Sequence, residues 1–133
     1  MVNDMPRRPS AGFTLIELLV VLAIVALLLS LATPRYFQHI ERSKEAVLRK
    51  NIAALRESLD QYHADTGVWP ASLQVLAERR YLRQVPIDPL TERNDTWKTT
   101  LSPPANEQES SGIIDIHSGA EGHDRQGKAY ADY

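Results

Sequence analysis

Between Phe13 and Thr33 the sequence carries a single ionisable side chain, the carboxyl of Glu17. Seventeen of those 21 residues are apolar, and none is Lys or Arg. A carboxylate in hydrocarbon costs roughly 2.5–3.5 kcal/mol at mid-bilayer and less near the interface. Such a group needs a cationic partner, and no Lys or Arg follows nearby on the outer side. A free amino group created by cleavage just upstream would supply one. The chemistry suggested here is the pairing of charges in an apolar setting, not catalysis.

Other residues that could do chemistry fall into no working arrangement. His39, His63, His117 and His123 lack metal-site spacing such as H-E-x-x-H, and read as solvent or packing residues. No G-x-S-x-G, P-loop or dinucleotide fingerprint occurs. The chain has no cysteine, which excludes disulfides, thiol nucleophiles and Cys-ligated zinc or iron–sulfur sites. Asp88, with Pro86 and Pro89 about it, reads as a turn-former. Trp69 and Trp97 read as packing residues, with partner binding as the alternative. Glu121, Asp124 and Asp132 could contribute to a calcium site, which takes six to eight oxygens. Arg125 and Lys128 stand among them and oppose a cation. The alternative is a calcium-independent loop tied down by Tyr130 and Tyr133.

The segment that must position Glu17 is the apolar run Phe13–Ala32. At about 1.5 Å per residue a helix of that length spans the ~30 Å hydrocarbon core. Arg7 and Arg8 precede it, Asp4 is the only upstream acid, and the next basic residue is Arg35. The positive-inside rule puts the N-terminus in the cytoplasm. A cleaved secretory signal is the bland alternative, with Ser30-Leu31-Ala32 as its site. The run is longer than an ordinary signal core, and Glu17 is out of place in one. A plain single-pass anchor is the other bland reading. The net charge of −2 gives no chain-wide footprint for nucleic acid.

The stretch Gly12-Phe13-Thr14-Leu15-Ile16-Glu17-Leu18-Leu19-Val20-Val21, behind a basic leader and before an uninterrupted apolar helix, resembles the processing site of type IV pilins and pseudopilins. The resemblance implies cleavage by a prepilin peptidase after Gly12. It further implies N-methylation of Phe13 and an assembly role for Glu17, which sits five positions into the cut chain. Pro34 matches the family's helix-kinking proline. Tyr62-His-Ala-Asp65-Thr-Gly67-Val-Trp69-Pro70 resembles the region after the long helix in the major pseudopilins of type II secretion systems. So do Leu73 to Leu76, Tyr81-Leu82, Pro86-Ile87-Asp88-Pro89 and Ile114 to Gly122. That class typically binds calcium through an acidic C-terminal loop with an adjacent Asp pair. The pair is missing here, so no cofactor is expected, and calcium would have only Glu121, Asp124 and Asp132 to draw on.

Residues 1–12 thus read as a cleaved leader, 13–33 as a transmembrane helix, 34–63 as the amphipathic half of the same helix, and 64–133 as a small periplasmic head. Leu48, Ile52, Leu55, Leu59 and Tyr62 recur at spacings of 4, 3, 4 and 3, which places them on one face. Arg42, Glu45, Arg49, Arg56 and Asp60 fall opposite, with Glu45–Arg49 and Arg56–Asp60 at attractive i,i+4 spacing. Pro34 should loosen the helix near residues 30–34, and Gly67 should cap it. A short helix follows Pro70, with Ser72 as its N-cap and Leu73, Leu76 and Ala77 inward. Thr96–Leu101 and Gly112–His117 read as strands, with Ile114 and Ile116 inward, joined by a mobile loop over 102–111.

The fold class is α+β and pilin-like: one long N-terminal helix packed on a small antiparallel head. The resemblance implies a subunit of a type II secretion pseudopilus. Its partners would be further copies of itself, other pseudopilins, the prepilin peptidase and the inner-membrane secretion platform, without nucleic acid. Its place would be the bacterial inner membrane, single-pass, with the head periplasmic. The runner-up is a type IV pilin or minor pilin for adhesion, motility or DNA uptake. Such proteins commonly carry a C-terminal cysteine pair, absent here. A membrane-anchored enzyme is a third reading, and no catalytic constellation supports it.

Overall fold

The computed structural model describes residues 12–104 and 111–133. The leader expected over 1–11, and the part of the expected mobile loop over 105–110, lie outside the described residues. The chain divides into two compact units, one ending at His39 and the other covering Ile40–Tyr133.

Helix α1 covers Leu15–Thr66, 52 residues. Its first part is apolar all round and exposed throughout, as a segment meant for lipid must be. The helix continues through Pro34 without interruption, although the proline ring supplies no N–H to the preceding turn. Hydroxyls in that region are satisfied internally. Ser30 Oγ donates to the Leu27 carbonyl at 2.8 Å, and Thr33 Oγ1 to the Leu29 carbonyl at 2.6 Å. A hydroxyl turned back on its own helix tolerates hydrocarbon, because no donor is left bare.

The second part of α1 supplies one wall of the head. Leu48, Ile52, Leu55, Leu59 and Tyr62 are all buried, as their spacing predicts. The helix ends at Gly67, whose φ of +77° suits a residue without Cβ and whose N–H donates to the His63 carbonyl at 2.8 Å. Helix α2 covers Leu73–Glu78 and buries Leu73 and Leu76, while Ala77 is half-buried. Ser72 occupies the N-cap position, but its side chain makes no capping bond.

Strands β1, Lys98–Leu101, and β2, Ile113–His117, pair antiparallel. Both begin later than expected. Thr96 bonds sideways through its hydroxyl to Thr91, 2.5 Å away. Gly112 instead packs on Trp69, where a Cβ would stand 2.4 Å from the Trp69 Cβ. The inward residues are Ile113 and Ile116, not Ile114 and Ile116, since Ile114 is 36% exposed. The cause is a register irregularity between Thr100 and Leu101, which sets Leu101 opposite Ile113 and breaks strict alternation.

One buried cluster joins the apolar face of α1 to Leu73, Leu76, Val85, Trp97, Ile113, Ile116 and Tyr133. Trp97 donates its ring N–H to the Pro86 carbonyl at 2.8 Å, and Trp69 stacks on His63 with centroids 4.0 Å apart. Both tryptophans are therefore packed within the head.

Asp88 is the turn-former its setting suggests. It is fully buried and its Oδ1 accepts the N–H of Leu90 at 2.9 Å. Its Oδ2 accepts the Ser118 hydroxyl at 2.6 Å, which fastens the turn to the segment after β2. Gly119 follows in that segment, and a Cβ there would lie 1.8 Å from the Thr96 carbonyl oxygen, so only glycine fits.

Candidate functional site

The start of α1 holds the residues singled out for processing and assembly. Gly12, Phe13 and Thr14 precede the first helical turn and are exposed, Phe13 to 92%. Among the described residues, no atom beyond its chain neighbours lies within 4 Å of where a Cβ on Gly12 would stand. The Gly12–Phe13 peptide bond thus lies outside the helix between two exposed residues.

Glu17 is the third residue of the helix that Thr14 caps. Its Oε2 accepts the Thr14 N–H at 2.9 Å and the Thr14 hydroxyl at 3.1 Å. The Glu17 N–H in turn donates to Thr14 Oγ1 at 3.3 Å. This is a reciprocal capping box, in which two groups of the first turn that would lack partners satisfy each other. The sequence reading passed over Thr14. The signal was present, since Thr-x-x-Glu at the start of an apolar run is the sequence signature of that box.

A polar cluster closes the head. Arg56 Nε donates to Asp115 Oδ1 at 2.7 Å, and its Nη2 reaches the main-chain oxygens of Ile116 and Tyr133, each at 3.1 Å. Arg49 Nη2 donates to the Tyr133 hydroxyl at 2.8 Å, which itself donates to Asp124 Oδ2. Both arginines thus border the core and grip Tyr133. Arg49 also feels the Glu45 charge expected to pair with it, while its hydrogen bond and those of Arg56 go to these longer-range partners.

Asp124 stands where a calcium ligand was considered. Its Oδ1 accepts the N–H groups of Gln126 at 2.7 Å and Lys128 at 2.9 Å. Its Oδ2 takes the Tyr133 hydroxyl, with Arg49 at 3.8 Å. Lys128 Nζ lies 4.7 Å from the centre of the Tyr133 ring, and Tyr130 packs 6.0 Å from the same ring. Among the described residues no three His, Cys, Asp or Glu side chains gather closely enough to hold a metal ion. The donor set round Asp124 does not fit calcium either, because its carboxylate already accepts three hydrogen bonds and faces the Arg49 cation. Calcium and a chelator are therefore expected to leave the melting temperature of the purified chain unchanged. A rise on adding calcium that Asp124→Ala abolishes would refute this.

The Tyr133 hydroxyl, aided by the Lys128 and Gln126 N–H groups and the Arg49 charge, holds the Asp124 carboxyl below its usual range against the opposing effect of burial. For Asp115, burial pushes upward, but the Arg56 and Ile116 bonds and nearby charges bring it below the usual range as well. Carboxyls lowered on folding stabilise the head above their unfolded pKa, near 4. That contribution disappears as pH falls through the lower folded values. Urea midpoints should therefore hold from pH 7 to about 5 and fall below about 4, with a shallower fall in Asp124→Asn. Identical pH profiles for the two chains would contradict the assignment.

An apolar helix opened by a capped Gly-Phe junction, and carried into a small α+β head, defines the prepilin-like class of membrane-anchored subunits. Residues 7–33 match the family model described as the prokaryotic N-terminal methylation motif. The type II secretion system core protein G of Pseudomonas aeruginosa is 31% identical over 101 residues, covering 64% of this chain and 71% of that protein. The fimbrial protein EcpC of Eikenella corrodens is 36% identical over 67 residues, covering 50% of this chain and 44% of that protein. The prepilin peptidase-dependent protein A of Clostridium perfringens is 36% identical over 66 residues, 50% of this chain and 47% of that one. No solved structure matches the chain significantly. The chain belongs to the type II secretion system core protein G family, the major pseudopilins. It is anchored in the membrane by a single pass of α1.

Proposed function

We propose that this chain is a structural subunit, not an enzyme, that polymerises into the periplasmic filament of a type II secretion system. Cleavage after Gly12 and N-methylation of Phe13 precede assembly. The observation that carries the reading is the exposed Gly12–Phe13 pair set just before the capped first turn of an apolar helix whose early carboxylate is Glu17. The leader would be removed from residues 1–12, with 13–33 left in the inner membrane and the head in the periplasm. Its partners are then the prepilin peptidase, further copies of itself, other pseudopilins and the inner-membrane platform.

Intact-mass measurement of the membrane-extracted protein tests the first step. The expected mature chain starts at residue 13 and carries one methyl group on its amine. Cleavage after Ala32, or none, would overturn the reading. A strain lacking the chain should lose secretion through a type II system while keeping pili. The fimbrial relative is matched over only 44% of its length and does not favour the pilus alternative.

A further inference from the structure

Immediately after the apolar run come Arg35, Tyr36, Phe37 and His39, all on α1 and all exposed. Tyr36 and Phe37 are 64% and 60% exposed, and their rings meet edge to face with centroids 6.0 Å apart. Each of these side chains has an apolar body, and three end in a polar tip. Residues of this kind settle where hydrocarbon gives way to headgroups.

Their arrangement distinguishes a lipid layer from a second helix. At about 100° per residue, Arg35 and His39 share one side of the helix, Tyr36 stands roughly a quarter turn away and Phe37 a quarter turn further. A face that docks on another helix is a stripe. Spread over about 200° of the circumference, this set is wider than such a stripe and suits a surrounding that is alike on every side. The set also continues directly from the membrane-spanning part of the helix.

We infer that Arg35, Tyr36, Phe37 and His39 form an interfacial girdle that seats in the phospholipid headgroup layer and fixes the depth of α1 in the bilayer. The inference rests on the reading of α1 as membrane-spanning. Its consequence reaches the processing site. From Leu15, where α1 begins, Tyr36 lies about 32 Å along the helix, close to the ~30 Å hydrocarbon core. With Tyr36 held in one interface, the Gly12–Phe13 bond is held at the other surface, within reach of a membrane peptidase.

The chain has no cysteine, so single labels are easily introduced. Full-length chains bearing Ile24→Cys, Gln38→Cys or Val47→Cys, each labelled with an environment-sensitive fluorophore, would be placed in vesicles of phosphatidylethanolamine and phosphatidylglycerol. The label at 24 should be quenched by a nitroxide at the acyl-chain end. The label at 38 should respond instead to a nitroxide near the headgroup and be shielded from iodide, which reaches the label at 47. With Tyr36→Ser and Phe37→Ser added, the label at 38 should lose its shielding and the label at 24 its preference for the deep quencher. If 24 stays deep while 38 is as open to iodide as 47, the girdle is refuted and the span stands. If 24 is itself open to iodide, the spanning reading fails and the girdle with it. Unchanged quenching at both positions in the serine variant would also overturn the proposal.

Discussion

Glu17→Gln is expected to insert in the membrane and be cleaved after Gly12, yet to enter filaments poorly when it is the only copy of the subunit. On the proposed processing, leader removal would expose a charged amine at Phe13, and methylation would leave that charge in place. In a packed bundle of helices an unpaired carboxylate is costly, and an opposite charge offsets much of the cost. A neighbour's amine brought to Glu17 would then set register, since a subunit one step out of place leaves two charges unmatched. The capping box sharpens the experiment, because glutamine at the third helical position can still accept from Thr14. The glutamine variant therefore keeps the local cap and loses only the charge, whereas Glu17→Ala loses both. Crosslinking between cysteines placed at Leu15 and Leu19 of adjacent subunits would report assembly. Failure of both variants fits charge pairing. Normal assembly of the glutamine variant with failure of the alanine variant would reduce Glu17 to a helix cap, and normal assembly of both would remove any role in assembly.

Asp88→Ala is expected to be the most damaging single change in the head. The carboxylate is fully buried and receives Leu90 and Thr91 N–H groups and the Ser118 hydroxyl. Bonds to a charged group, together with buried donors left bare, amount to about 3 kcal/mol. For a domain of this size that is a fall in melting temperature of roughly ten degrees or more. Ser118→Ala removes one of those bonds and should cost clearly less. Melting curves followed by near-ultraviolet circular dichroism measure both, and an Asp88→Ala chain that melts with the parent would show the turn to be held by its prolines alone.

The periodic parts of the molecule were legible from residue order. The five apolar positions from Leu48 to Tyr62 are buried because a helix face is a local property, set by spacing within one element. The β2 reading erred at Ile113 and Ile114, since a register irregularity depends on the partner strand and leaves no trace in the strand's own alternation. At the candidate site, Gly12, Phe13 and Glu17 could be named because the motif is contiguous. Thr14 lay in the same motif, and its bonds to Glu17 take shape only in the folded first turn. The Arg49–Asp124–Tyr133 cluster was beyond reach for another reason. Its members come from helix, loop and final turn, and nothing in a helix's charge pattern tells an arginine facing solvent from one that grips a distant segment.

The grip of Arg49 and Arg56 on Tyr133 also sets an order of events. These contacts close loops of 84 and 77 residues, among the longest in the head, and the entropy of closing them must be met before they give anything back. Helix α1 can form as soon as its own residues are available, but the head cannot lock until the segment that carries Asp124 and Tyr133 is available as well. For as long as that takes, the apolar wall from Leu48 to Tyr62 lacks part of its cover, and the subunit is at its most exposed to proteases and to wrong partners. The contacts of Tyr133 therefore act as a late latch, separating heads still open from those with a finished surface.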